Sequence, residues 1–184
     1  MKNLAVIALT IISLLFSSCA DSKKNEKENE PEVITVDTTP KKEFYTSEDG
    51  DVKFEDELIT AVYKEYIELK MAFVNNSSKL ASYHASLFME KLNDAKADKN
   101  LIKTTQKIIG SSDIEEQRMD FTTITSEVEK MIQGQIKSGT VYKQYCPMAF
   151  NNKGGYWLSN SKDIYNPFFG DKMLKCGRVD SEIK

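Results

Sequence analysis

From Phe54 onward the apolar residues fall into a helical period. Leu58, Val62, Tyr66, Leu69 and Phe73 form one stripe with Lys and Glu between them, which predicts a first helix. Asn75 and Asn76 break it. Ser77 or Ser78 caps a second helix with Leu80, His84, Leu87, Phe88 and Leu92 along one face. Asp98 starts a short third helix that carries Leu101, Ile102, Ile108 and Ile109 and stops at Gly110. Ser112 and Glu115 stand at S-x-x-E spacing, which predicts a capping box for a fourth helix. That helix presents Phe121, Ile124, Val128, Met131 and Ile132, with Gly139 as its stop. Short polar connections favour antiparallel neighbours. The expected fold is therefore mainly α, an antiparallel up-and-down helical bundle.

After Gly139 the helical period is lost. Val141 to Tyr145 alternates apolar and polar, and Tyr156–Trp157–Leu158 follows the turn-rich run Asn151–Asn152–Lys153–Gly154–Gly155. Two short strands around an Asn/Gly turn predict a β-hairpin. Asn166–Pro167, Gly170 and Gly177 punctuate the remainder as ordered loop. The tail is thus a C-terminal β-hairpin and loop packed on the bundle, with Tyr145, Tyr156, Trp157, Phe168 and Phe169 either as its seam or as the walls of a small-molecule pocket.

The amino terminus has a different pattern. Lys2 is followed by an apolar stretch from Leu4 to Phe16, short for a bilayer span, and then by Ser17, Ser18 and Cys19. Leu15–Phe16–Ser17–Ser18–Cys19 resembles the lipobox of bacterial lipoproteins, in which the cysteine becomes the lipidated first residue. Residues 1–19 are expected to be a lipoprotein signal peptide. Residues 20–50 are rich in Lys, Glu, Asn, Asp and Pro, cannot bury enough apolar surface to offset ordering entropy, and read as a disordered tether. Residues 51–184 are left for the bundle and its tail. The expected location is the cell envelope, lipid-anchored through Cys19 on the periplasmic side or the outer-membrane surface, an oxidising place.

Composition narrows the function. Of 184 residues 29% are charged, with a net charge of −3, which argues against a nucleic-acid partner. A single His and three Cys exclude a zinc-finger array or a disulfide-dense miniprotein. There is no nucleophile elbow, no phosphate-cradling Gly loop and no H-E-x-x-H, so no enzyme is expected.

The chemistry of interest is sulfur. Cys146 and Met148 stand as C-P-M, and Met173 and Cys176 as M-L-K-C. Alternate side chains of an extended segment share a face, and M-x-x-C brings two sulfurs onto one side of a turn. If the segments meet, Cys146, Met148, Met173 and Cys176 surround one point. Thiolate with thioether selects Cu(I) over hard cations. A Cys146–Cys176 disulfide, stapling the tail by about 3 kcal/mol, fits the same spacing, and so do two unpaired thiols. His84 is either a hydrogen-bonded core residue or an imidazole ligand reaching toward the tail.

The tail and the helices before it resemble a bacterial family filed as domain of unknown function 3347, common in lipoproteins of the Bacteroidetes. The resemblance rests on Tyr142–Lys143–Gln144–Tyr145–Cys146–Pro147–Met148–Ala149–Phe150, Gly155–Tyr156–Trp157–Leu158–Ser159, Ile164, Asn166 to Leu174, and Cys176–Gly177. It covers roughly Leu58 to Val179. Domains that look like this also occur attached to periplasmic adaptor subunits of heavy-metal efflux pumps, which implies copper or silver handling. C-P-M also resembles the Y-x-C-P-M-H-P core of small heavy-metal modules, with Tyr145 adjacent to Cys146 and Ala149 in place of the His. Together these imply a lipoprotein that binds a soft metal, Cu(I), for sequestration or hand-over to an efflux adaptor. The alternative is a non-catalytic interaction or scaffold domain with a structural Cys146–Cys176 disulfide.

Overall fold

The structure, a computed structural model, describes residues 44–46 and 50–184. The signal segment, Cys19 and nearly all of the tether lie outside the described residues. The fold is mainly helical, with two small antiparallel sheets. The four predicted helices are α1 (Glu57–Val74), α2 (Ser78–Asp94), α3 (Lys99–Gly110) and α4 (Ile114–Ile132). Each packs on the next, and α4 also packs on α1. Residues 69–74 of α1 are buried consecutively, so this end of the helix is covered on every side.

Caps set the helix starts. Asp56, Ser77 and Asp98 accept from the amides of Leu58, Leu80 and Asn100, as N-caps do. Three boundaries differ from the sequence pattern. Phe54 lies in a short strand, β1 (Lys53–Phe54), and its buried ring meets Tyr63 edge-on at 5.1 Å. The Ser112–Glu115 box does not form. Asp113 caps α4 instead, its Oδ1 accepting from the amides of Glu115 at 2.8 Å and Glu116 at 3.4 Å. Finally, α4 ends at Ile132, ahead of Gly139. Gly134 takes a φ of +70° just past that end, and β2 (Ile136–Ser138) then pairs with β1. Gly139 turns the chain from β2 into the tail with a φ of +89°.

The tail is a three-stranded sheet. β3 (Val141–Cys146) is central, flanked by β4 (Gly155–Ser159) and by β5 (Arg178–Ile183), all antiparallel. The hairpin is the predicted one, with Gln144 opposite Trp157 and Cys146 opposite Gly155. The third strand corrects the reading of residues 160–184 as loop. It is a polar, largely exposed edge strand, so it shows little apolar alternation.

Side chains lock this sheet to the helices. Tyr66 on α1 places its hydroxyl between Thr125 of α4 and the amide of Leu158, each at 2.9 Å. Its complete burial pushes the phenol well above its ordinary pKa, so it stays protonated. Lys143 on β3 donates to Glu129 of α4 at 2.8 Å. Trp157 is fully buried and meets the Phe168 ring nearly perpendicularly at 5.8 Å. Ahead of the helices, Tyr45 docks on the end of α1. Its amide donates to Asn75 Oδ1 at 2.9 Å, and Asn75 Nδ2 donates to its carbonyl at 2.7 Å.

Candidate sulfur site at the end of the sheet

Cys146 is the last residue of β3 and is fully buried. Cys176 precedes β5 and is half-buried. Both are free thiols, and their sulfurs stand 3.2 Å apart. The structure thus brings together the two cysteines that the spacing singled out. Burial and the neighbouring Cys146 sulfur hold the Cys176 thiol above the ordinary cysteine pKa.

Two backbone features make this approach possible. Gly177 has a φ of +152°, and a Cβ there would lie 2.8 Å from the Trp157 ring and 3.1 Å from the Tyr145 carbonyl. Only glycine lets the chain pass that close to β3 and β4. The second feature is Asn166, fully buried. Its amide donates to the Leu174 carbonyl at 2.9 Å, and its Nδ2 donates to the Cys176 carbonyl at 2.7 Å. Its Oδ1 accepts from the Phe168 amide at 2.8 Å. Asn166 therefore holds the turn in which the Cys176 amide donates to the Met173 carbonyl at 3.0 Å. The sequence pattern marked Asn166 only as punctuation before a proline.

The methionines line a cavity that the cysteines do not. Met148, at the start of the turn after β3, is 47% exposed. Met173 ends the 3-10 turn Gly170–Met173. Both line one open cavity of about 460 Å³, which the cysteines do not line. Phe150, Asn151 and Asn152 take left-handed φ values of +52°, +57° and +65°, so the segment Ala149–Asn152 curls back beside this cavity. His84 is elsewhere. It is half-buried on α2 and lines a different cavity with Phe44, Met71 and Asn75. The buried stripe of α2 runs through Ala81, Ala85, Phe88 and Leu92, which leaves His84 at its edge.

Among the described residues no three His, Cys, Asp or Glu side chains cluster where they could hold a metal ion. A tetrahedral ion held at the thiol pair would need two further ligands to complete its shell. Two thiolates sharing a tetrahedral ion at about 2.3 Å each stand roughly 3.8 Å apart, so the pair would open by about half an ångström to admit one.

A second missed feature is the polar node that holds the tail. Arg118 on α4 is buried and donates to the carbonyls of Pro167 at 2.8 Å and Phe73 at 3.1 Å. It also reaches Asn76 Oδ1 and Glu115, each at 2.6 Å. Asn76 in turn donates from Nδ2 to Asp171. The loop between β4 and β5 is thereby tied to the ends of α1 and α4.

Residues 62–139 match the model of a family described as "Protein of unknown function (DUF3347)". The match runs from within α1 to the turn before β3. The tail residues 142–177, on which the resemblance is most detailed, lie beyond it. No curated protein and no solved structure matches the chain.

Proposed function

We propose that this chain, which carries in residues 62–139 the domain of that family of unknown function, is an envelope lipoprotein that binds Cu(I). The thiol pair is the binding point, and the role is sequestration or hand-over to a heavy-metal efflux adaptor. One observation carries the reading: Cys146 and Cys176 are free thiols 3.2 Å apart, each within three positions of a methionine on one shared cavity. Two thiolates with thioethers nearby match the softness of Cu(I) and impose little geometric demand. Cys146 and Cys176 would hold the ion, and Met148 and Met173 would swing in from the cavity to complete its shell. His84 has no part in this centre.

The rest of the chain serves that site in this reading. The helices form an up-and-down bundle that is the platform for the sheet. The lipid on Cys19 and the tether place it at a membrane. No group is assigned a catalytic role. X-ray absorption on the reduced protein loaded with Cu(I) tests the ligand set. A first shell of sulfur supports the proposal, and a shell of nitrogen or oxygen overturns it.

The same 3.2 Å distance favours a second reading. Sulfurs this close form a disulfide of about 2.05 Å with a small shift, and such a bond would staple the tail. The domain would then be a non-catalytic scaffold. A thiol count on protein isolated without reductant separates the two.

A further inference from the structure

The cavity lined by Met148 and Met173 has a third methionine that the sequence pattern did not connect to it. Met119, on α4, lines it together with Met148 and Met173. Met119 is 56% exposed and Met148 47%, so neither is filling the core. Three thioethers from α4, from the turn after β3 and from the 3-10 turn therefore border one accessible space of about 460 Å³. The rings of Phe150, Phe168 and Phe169 form much of the remaining wall, and Glu115 is the acidic group on it.

We propose that Met119, Met148 and Met173 form a thioether site for a soft monovalent cation, Ag(I) or Cu(I), that works whether or not the two cysteines are bonded to each other. The site shares Met148 and Met173 with the reading above and does not need its thiols. A thioether binds without releasing a proton, whereas a thiol must first lose one. It also cannot be withdrawn by disulfide formation in an oxidising compartment. Methionine has three rotatable bonds, so sulfurs on the walls of a wide cavity can converge on an ion. Met148 lies two positions from Cys146, and Met173 three from Cys176, so an ion held here sits on the same two chain segments as the thiol pair.

Ag(I), which undergoes no redox change, is the probe. It is titrated into full-chain Cys146→Ser/Cys176→Ser protein and into oxidised wild type, at neutral and at mildly acidic pH. The expected result is one Ag(I) per chain in both proteins, with affinity unchanged by pH. Met119→Leu in either background should weaken binding at least about tenfold, a scale that even outer-shell changes reach at metal sites. Met131→Leu, on α4 but outside the cavity, should leave it unchanged. Circular dichroism checks that each variant is folded, and the oxidised wild type stands in if the double Ser variant is not. Absence of Ag(I) binding, or full affinity in Met119→Leu, overturns the site. Reduced wild type that binds Cu(I) through its thiols, beside a double Ser variant that binds no Ag(I), sinks this inference alone. The reverse result leaves the thioether site standing and removes the thiol one.

Discussion

Arg118 Nε donates to the Pro167 carbonyl at 2.8 Å, so a side chain of α4 holds the loop that carries Met173 and Cys176. The guanidinium also satisfies the Phe73 carbonyl at the end of α1. Removing it leaves the buried Pro167 carbonyl without this donor, at a cost of about 1–3 kcal/mol, while the Phe73 carbonyl keeps the Asn76 amide at 3.1 Å. Arg118→Leu is therefore expected to lower stability by about 1–3 kcal/mol in chemical denaturation. A loss below about 1 kcal/mol would show that the node is not what secures the tail.

Trp157 makes the tail part of the core. It is fully buried and stands against Phe168 and Gly177. Truncation of a buried Trp typically costs about 3–5 kcal/mol, so Trp157→Ala should destabilise the whole domain by that amount. Native tryptophan emission should be that of a sheltered indole. Emission matching a fully exposed indole would contradict this placement.

Asn166 positions the thiols without touching them. Its Nδ2 holds the Cys176 carbonyl at 2.7 Å, so Asn166→Ala frees the turn between Met173 and Cys176. The two sulfurs then meet less often, and the disulfide should be less favoured. Measuring the thiol–disulfide equilibrium against glutathione checks this. A variant whose disulfide forms as readily as that of the wild type would show that the sheet alone brings the cysteines together.

The period along the chain made the four helices legible, and Asn151 to Gly155 did the same for the hairpin. What escaped that reading has physical reasons. Strand β5 is charged and edge-placed, with little apolar alternation to report it. The face of α2 is set by Ala81 and Ala85, whose small buried side chains weigh little in an apolar stripe. That placed His84 nearer the core than it is. Arg118, Asn76 and Asp171 are polar and far apart in sequence, and nothing local marks them as partners. At the candidate site, the meeting of Cys146 and Cys176 was legible from their spacing. The place of Met119 on the cavity was not, because it needs the packing of α4 against the tail.

The raised pKa of Cys176 has a signature in stability. An unfolded thiol loses its proton near pH 8.5, while in the folded protein burial and Cys146 hold it on to higher pH. Between those two values the folded state binds more protons than the unfolded one, so stability falls as pH rises. Below the ordinary cysteine value both states are protonated, and the effect vanishes. The reduced wild type should thus lose stability as pH climbs through the region above about 8.5, and Cys176→Ser should lose less. Equal slopes in the two proteins would contradict the shift.

The central claim is that the paired thiols bind Cu(I), and competition against a chelator that holds Cu(I) in the micromolar range tests it most directly. Fully reduced wild type should take one Cu(I) per chain from the chelator. Cys146→Ser should lose most of that affinity. Met148→Leu and Met173→Leu, swaps that typically cost below about 1.5 kcal/mol in stability, should stay folded and bind more weakly. His84→Ala should bind like the wild type. If reduced wild type leaves all the Cu(I) with the chelator, the metal reading is contradicted and the structural disulfide stands in its place.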